Sequence, residues 1–262
     1  MEHTANYRLP AGWIIVLAVF VIVATLLVPP VAQDPAYHEF ADRRMLYGIP
    51  DFWNVVSNAP FMITGVWGLT LLLRRRDAGV LPELRQAYLV FFSGVLLTAF
   101  GSAWYHLDPA NETLFWDRLP MTLAFMAFFS IVVGEHLSPG AGRRMLWPLV
   151  GAGILAIVYW YIGETRGRGD LRPYALVQFL PMLLIPLILL GYRSRLGGAG
   201  YLWAMLAAYL FSKFAEYLDA ELYSGLGVIS GHSLKHIAAA LGTGFICLAV
   251  YRRRPLPGHP PA

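Results

Sequence analysis

The chain has 262 residues and a formal net charge of +4, and 57% of its residues are hydrophobic while 14% are charged. An average soluble domain is about 25% charged, so the composition excludes an ordinary soluble enzyme and indicates a membrane protein. The single cysteine, Cys247, has no partner with which to form a disulfide within the chain. The basic excess does not predict a nucleic-acid partner, because no segment interleaves aromatic and basic residues as single-strand-binding surfaces do.

Eight apolar stretches of about 20 residues, the length that crosses a bilayer, follow one another with short connections. They predict an all-α polytopic membrane protein with the spans Trp13–Ala32, Asn54–Leu73, Gln86–His106, Leu119–His136, Met145–Gly163, Tyr174–Tyr192, Gly200–Leu218 and His232–Tyr251. The first span is longer than the apolar core of a signal peptide, which is about 7–15 residues, and it ends in a poor cleavage sequence. We therefore expect a retained helix. The predicted organisation is a tail and extra helix in residues 1–36, a seven-helix membrane domain in residues 37–254, and a disordered tail in residues 255–262.

The arginines are distributed unequally between the two ends of these spans. Twelve fall on the side that carries both termini and six on the other side. Because positive residues are enriched in cytoplasmic loops, we expect both termini in the cytoplasm. The predicted location is a bacterial inner (plasma) membrane.

Three histidines fall at matching depth in this topology. His106 ends the third span, which runs outward, while His232 and His236 begin the eighth span, which runs inward. A spacing of four residues places the last two on one side of a helix. Three neutral imidazoles with one open coordination position form the ligand set of a catalytic zinc ion. The alternative for each histidine taken singly is an interfacial residue at a helix end.

Two further polar residues fall at the same depth. Ser102 lies four residues before His106 and shares its helix face, and Asp117 precedes the fourth span. Asp117 is predicted as a catalytic carboxylate, but Asp is also a preferred N-cap and Pro120 suits a first helical turn. The alternative for Ser102 is close packing of membrane helices, in which small residues are common.

Charged residues within the last two spans predict ion pairs, because intramembrane charges usually pair with one another. We expect Lys213 or Lys235 to pair with Glu216 or Asp219. The alternative for Lys235 is contact with a lipid headgroup or with Asp117.

Several motifs resemble the alkaline ceramidases and the wider CREST superfamily of seven-helix membrane hydrolases, which includes the progestin and adipoQ receptors and the Per1-type lipid remodellers. The motifs are Phe52-Trp53-Asn54, Ser102-x-x-x-His106, Asp117-Arg118-Leu119-Pro120-Met121 and His232-x-x-x-His236. The resemblance covers residues 42–251 and leaves out the first span. It therefore implies a seven-helix CREST-like bundle with one extra N-terminal transmembrane helix.

The resemblance also implies a role for each residue of the predicted site. His106, His232 and His236 match the zinc ligands of the family. Asp117 matches the aspartate beside the metal site, and Ser102 matches the serine that assists the metal or the oxyanion. The implied reaction is the hydrolysis of ceramide or a related N-acyl lipid, drawn from the bilayer, to a fatty acid and an amine. The alternatives are a non-enzymatic lipid receptor or structural protein with a structural zinc, and an enzyme with the same metal site that acts on ester lipids.

Two features depart from the resemblance. Animal alkaline ceramidases carry an acidic segment associated with calcium before the Phe-Trp-Asn motif. Here Glu39, Asp42 and Asp51 offer oxygen ligands, but arginines lie among them and a calcium shell needs about six to eight oxygens. Calcium is therefore a doubtful second metal, and the alternative is a solvated amphipathic segment on the outer surface. Arg118 stands where the family commonly has an acidic residue, which favours a different lipid headgroup.

The sequence also predicts how substrate reaches the site. We expect an apolar pocket between helices that opens towards water near Asp117, with residues 107–116 as its rim. The predicted lining is Trp53, Phe61, Trp104, Phe115 and Met121. The sequence does not predict an oligomeric state.

Overall fold

The computed structural model of the protein describes residues 10–75 and 79–254, which form an all-α structure. Ten α-helices occur in these residues: α1 (Ala11–Leu27), α2 (Phe52–Val56), α3 (Ala59–Arg74), α4 (Arg85–Leu107), α5 (Asn111–His136), α6 (Pro139–Thr165), α7 (Arg172–Gly191), α8 (Gly200–Tyr217), α9 (Asp219–Leu226) and α10 (Gly231–Arg252). Six segments are long and apolar enough to cross a membrane, namely α2 with α3, then α4, α5, α6, α7 and α10. The predicted class, an all-α polytopic membrane protein, is confirmed.

Each of the eight predicted spans overlaps one of these helices. α1 and α8 have 17 and 18 residues. α1 ends at Leu27, and not at Ala32 as predicted, because Val28 precedes the pair Pro29-Pro30 and has an extended backbone. The second span is divided between α2 and α3, and Pro60 lies in the first turn of α3, where its missing N–H costs nothing. The predicted disordered tail, residues 255–262, lies outside the described residues, as do residues 1–9.

The packing of the helices leaves a gap beside the centre of the bundle. α3 contacts both α4 and α10, α5 packs along α4, and α8 packs along α10. α7 packs on α5 and α6, and α1 packs on α7. Between α7 and α8 the connection is made by side chains, with Gln178 Nε2 donating to Tyr209 Oη at 3.1 Å. The bundle therefore has a seam between α7 and α8.

Two glycines permit the close approaches that position the polar end of the bundle. A methyl group at Gly101 of α4 would overlap the carbonyl oxygen of Trp116 in α5. At Gly231, the first residue of α10, it would overlap the carbonyl oxygen of Ala215 in α8. Each glycine directly precedes a residue of the predicted site, Ser102 or His232, so the absence of a side chain brings those residues close to the neighbouring helix.

A buried ion pair joins the helix ends on the opposite side of the bundle. Arg253, just after α10, donates to both carboxylate oxygens of Glu135 in α5, at 2.8 Å each. The Tyr88 hydroxyl in α4 donates to the same carboxylate. The side chains of Arg253 and Glu135 are 1% and 0% exposed. Because both carboxylate oxygens are bonded, this charge pair is compensated within the bundle.

Removal of the positive member of this pair is expected to destabilise the protein strongly. Arg253→Leu leaves Glu135 buried without its counter-charge, and breaking a buried pair costs about 3–5 kcal/mol. The measurement is the thermal unfolding midpoint of purified protein in detergent. Arg144→Leu, at an exposed arginine on the same end of the bundle, is the control. Equal midpoints for the two variants would contradict a structural role for the pair.

Candidate metal and catalytic site

The three predicted histidines come together. His106 lies in the last turn of α4, and His232 and His236 lie in the first two turns of α10. Each pair of imidazole ring centroids is 4.9 Å apart. Candidate ligand atoms from the three rings lie within 4.8 Å of one another, and all three residues are buried. The cluster could therefore hold a metal ion.

The spacing of two ring nitrogens fits a tetrahedral metal. Nε2 of His106 and Nε2 of His232 are 3.3 Å apart. Two nitrogens that each lie about 2.0–2.1 Å from a tetrahedral zinc ion are separated by about 3.3 Å. These two nitrogens therefore have the spacing that a tetrahedral zinc ion requires, and the three imidazoles are donors that zinc accepts.

A hydrogen-bond network orients the ring of His236. The Ser57 hydroxyl, at the end of α2, lies 2.8 Å from His236 Nδ1, which leaves Nε2 as the free ligand atom. The Asn54 side chain accepts from the Ser233 hydroxyl at 2.8 Å and donates to the Asp42 carbonyl at 3.1 Å. Such outer hydrogen bonds fix the orientation of ligand rings. Ser57 is not among the predicted site residues, although it lies three residues after the Phe-Trp-Asn motif on which the resemblance rests.

Asp117 is not the cap of a helix. α5 begins at Asn111, so Asp117 lies nearly two turns inside it and the N-cap position belongs to Ala110. The expected rim, a loop over residues 107–116, is wrong, because seven of these ten residues are helical and none of them lines the cavity beside Asp117. Asp117 is 8% exposed and Ser102 is 2% exposed. The helix-cap alternative is thus excluded, and the two predicted residues line the same cavity.

A cavity of about 400 Å³ adjoins His236, Asp117 and Ser102. Its other polar side chains include Arg118, Lys213, Glu216 and Lys235, and its apolar lining includes Phe61, Phe91, Val95, Met121, Phe128, Phe179 and Met205. A mostly apolar cavity with a few converging polar groups is the usual form of a small-molecule site. Its size is within the usual range of about 300–1,000 Å³.

Two of the five predicted lining residues line this cavity, Phe61 and Met121, and three do not. Trp104 follows Ser102 by two residues, about 200° around the helix, so it is 59% exposed on the outer face of α4. Phe115 stacks instead on Trp116 and Tyr161, with ring centroids 5.2 and 5.0 Å apart. Trp53 also lies outside the cavity lining. Depth in the membrane did not predict the lining correctly, because a side chain must also lie on the helix face that borders the cavity.

The predicted ion pairs are confirmed for Glu216. It accepts from Lys213 at 2.6 Å and from Lys235 at 2.9 Å. Asp219 makes no such pair and accepts from the backbone N–H groups of Ala41 and His232, at 2.9 and 2.6 Å. One carboxylate therefore holds both lysines at the edge of the cavity.

A segment that was expected to be solvated covers the histidines. We call residues 33–44 the strap. The ring of Phe40 lies 4.7 Å from that of His106 and 4.4 Å from that of His232, and Phe40 is 6% exposed. His38 is within hydrogen-bond distance of the Tyr105 hydroxyl at 2.9 Å and the Asn111 side chain at 3.1 Å. The strap thus covers two of the three histidines, and its residue Tyr37 also lines the cavity.

The acidic residues of the strap region have other partners. Both oxygens of Asp42 accept from the Arg44 guanidinium, at 2.8 and 2.7 Å. Burial opposes the charge of Asp42, but the hydrogen bonds from Arg44 outweigh it and hold its pKa below the ordinary value. Burial raises the pKa of Asp51, and Glu39 is exposed. Within residues 10–75 and 79–254, the group of side chains that could hold a metal ion is the histidine cluster. Calcium binding by Glu39, Asp42 and Asp51 stays a prediction.

Fold and site together define a class: a polytopic α-helical membrane protein with a buried three-histidine cluster, able to hold a metal, beside a mostly apolar cavity. A family model described as Ceramidase matches residues 43–189, more than half of the chain. The chain belongs to the ceramidase family. The matched region contains Ser102, His106 and Asp117 and ends before His232, which only the fold brings back to them.

A named relative agrees with this assignment. A protein of Dictyostelium discoideum, provisionally named an alkaline ceramidase, is 24% identical over 99 residues. The similarity covers 34% of this chain and 34% of that relative, so the chain spans about a third of the length of the relative it matches.

Loss of the Ser57 hydroxyl is expected to weaken metal binding. Ser57→Ala removes the hydrogen bond that orients His236, and loss of such a partner costs about 10- to 100-fold in metal affinity. Competition with a chromophoric chelator for Zn²⁺ measures the affinity. Ser130→Ala, which removes a buried hydroxyl that donates to the Gly142 carbonyl far from the cluster, is the control. If both variants bound Zn²⁺ as tightly as the parent protein, Ser57 would have no orienting role.

Proposed function

We propose that this protein is a zinc-dependent intramembrane amidase that hydrolyses ceramide or a related N-acyl lipid to a free fatty acid and an amine. The observation that carries the proposal is the shared cavity, because His236, Asp117 and Ser102 line one mostly apolar space. A metal position, a carboxylate and a hydroxyl beside such a space are the parts that lipid amide hydrolysis requires. Membership of the ceramidase family supports the same reaction class.

Each residue has a proposed role. His106, His232 and His236 hold the zinc ion, which when bound polarises the scissile carbonyl and supplies an activated water near neutral pH. Asp117 takes the proton of the attacking water and delivers it to the leaving amine. Ser102 orients Asp117 in the free protein and donates to the developing oxyanion, a contribution of about 3 kcal/mol for one well-placed donor.

Positive charge near Asp117 supports its role as a base. Lys235 lines the same cavity as Asp117, and a positive charge close to a carboxylate stabilises its ionised form. Lys235 is itself held by an ion pair with Glu216. Asp117 therefore shares the cavity with a positive charge whose position is fixed by a second carboxylate.

We propose that the lipid reaches the cavity sideways from the bilayer. The strap covers His106 and His232 on the water side through Phe40. At the seam between α7 and α8, the apolar side chain of Phe179 lines the cavity and is also half exposed on the outside of the bundle. A two-tailed lipid can enter through such a seam without leaving the membrane. Residues 37–254 are the proposed catalytic domain, and the helix before them is an addition to it.

The alternative of a structural zinc in a receptor or scaffold is less well supported. Structural zinc sites use four protein ligands, whereas catalytic sites keep one position open. Three ligand side chains converge in the described part of the chain.

The distribution of arginines supports the proposed location, an inner-membrane protein with both termini in the cytoplasm and the site near the outer face.

His236→Ala is expected to remove most of the bound zinc, because two imidazoles hold the ion far more weakly than three. Metal content per purified chain, measured by mass spectrometry, tests this expectation. His136→Ala is the matched control, since His136 is a buried histidine at the far end of α5 and should leave zinc at one per chain. Stoichiometric zinc in the His236 variant would refute the proposed ligand set.

Asp117→Asn is expected to keep the zinc and lose turnover, because the amide cannot accept the water proton. The expected loss in kcat is about 10²- to 10⁴-fold. Fatty-acid release from ceramide, other N-acyl amines and matched ester lipids is the measurement, and it also separates amidase from esterase activity. Asp108→Asn, at an exposed residue of the α4–α5 connection, should keep full activity. An active Asp117→Asn protein would exclude Asp117 as the base.

A further inference from the structure

One buried cation beside the cavity has no hydrogen-bond partner among the described residues. Arg118 is 5% exposed, and its NH1 nitrogen is buried without a hydrogen-bond acceptor. Its charge is held instead by three aromatic rings, with the guanidinium carbon 4.7 Å from the centre of Trp160, 4.8 Å from Tyr174 and 5.2 Å from Tyr37. Aromatic faces stabilise a cation, but they accept N–H groups only weakly compared with an oxygen atom.

The two carboxylates that line the cavity make no hydrogen bond with Arg118. Asp117 precedes Arg118 in the helix and faces the same cavity. Glu216 is bonded to Lys213 and Lys235. The residues that line the cavity therefore include three cations and two carboxylates, and Arg118 carries the positive charge that is left over.

We propose that Arg118 binds an anionic group on the amine half of the substrate, so that the preferred substrates are N-acyl lipids whose headgroup carries a carboxylate, sulfonate or phosphate. The planar guanidinium presents paired N–H donors that match such groups. This inference rests on the proposed amidase function and names its substrate class.

The position of Arg118 assigns the anion to the amine half. In the proposed reaction Asp117 hands a proton to the leaving amine, so the amine half lies beside Asp117 and hence beside Arg118. The acyl chain has its own space, because the cavity continues past Phe91 and Val95, which lie on α4 about three to four turns before His106. The strap residue Tyr37 closes the headgroup side above Arg118.

The test compares lipids that share one acyl chain and differ in headgroup charge. The zinc-loaded full-length protein is given N-palmitoyl taurine, N-palmitoyl glycine and neutral N-palmitoyl ethanolamine. We expect kcat/KM to favour the two anionic lipids by at least about tenfold, the effect of one charge-assisted hydrogen bond. Arg118→Gln should abolish this preference, mainly through KM, and change the ethanolamide less than threefold. Arg166→Gln, at an exposed arginine after α6, should retain it.

Equal rates for charged and neutral lipids, or a preference that survives in Arg118→Gln, would overturn the proposal. If Arg118→Gln does not fold, Arg118→Lys replaces it. The lysine variant should lose kcat/KM for the anionic lipids alone, and an equal loss for all three lipids would count against the proposal.

A binding measurement separates this inference from the amidase function. Equilibrium binding of the same lipids is measured on zinc-loaded Asp117→Asn protein, with and without Arg118→Gln. If no lipid is hydrolysed by the parent protein, the amidase function fails, and tighter binding of the anionic lipids that depends on Arg118 still supports the anion site. Equal binding overturns it. If Arg118→Gln relieves inhibition by free palmitate and leaves the headgroup preference unchanged, the site holds the product carboxylate and the headgroup assignment is wrong.

Discussion

The structure depends on bringing three imidazole rings together inside an apolar helix bundle. Polar groups buried in such a bundle are costly unless they are bonded, so the neighbourhood of the cluster has to supply partners. Ser57 and Asn54 from α2 and Ser233 from α10 do so through short hydrogen bonds. The same requirement explains why α3 is preceded by the short helix α2, which carries Asn54 and ends at Ser57.

Buried charges are compensated in different ways at the two ends of the bundle. At the end away from the histidines, Glu135 bonds Arg253 with both oxygens and also accepts from Tyr88. At the site end, the carboxylate of Glu216 pairs with two lysines, and the guanidinium of Arg118 contacts aromatic rings. The first arrangement is closed and stabilises the fold. The second leaves donors directed at a cavity, which is the condition for binding a ligand.

The N-terminal part of the chain is tied to the bundle before it crosses the site. Arg172, at the start of α7, donates to the carbonyls of Leu26 and Val28, and the Leu171 N–H donates to Val31 at 2.7 Å. The same guanidinium bonds Asp170 and holds the pKa of that carboxyl below its ordinary value. The strap then continues to Phe40 above the histidines. These hydrogen bonds hold the end of α1 and the segment after it against α7, and so fix the position from which the strap continues over the site.

The sequence by itself determined the apolar spans and the histidine cluster. Twenty-residue apolar runs have one stable form in a bilayer, because only a helix bonds its own backbone, and the i,i+4 spacing of His232 and His236 required a shared face. Matching depth then placed His106 beside them. The start of α5 was not determined in this way, because Asn111–Trp116 is helical without being uniformly apolar.

Only the tertiary structure decided what covers and surrounds the cluster. Phe40 belongs to a segment without helical or strand periodicity, and its contacts with His106 and His232 depend on the path of the chain between α1 and α2. The same holds for Arg118, whose partners Tyr37, Trp160 and Tyr174 come from three separate parts of the sequence. Spacing predicts which side chains share a helix face, but contacts between distant segments depend on packing that no local pattern contains.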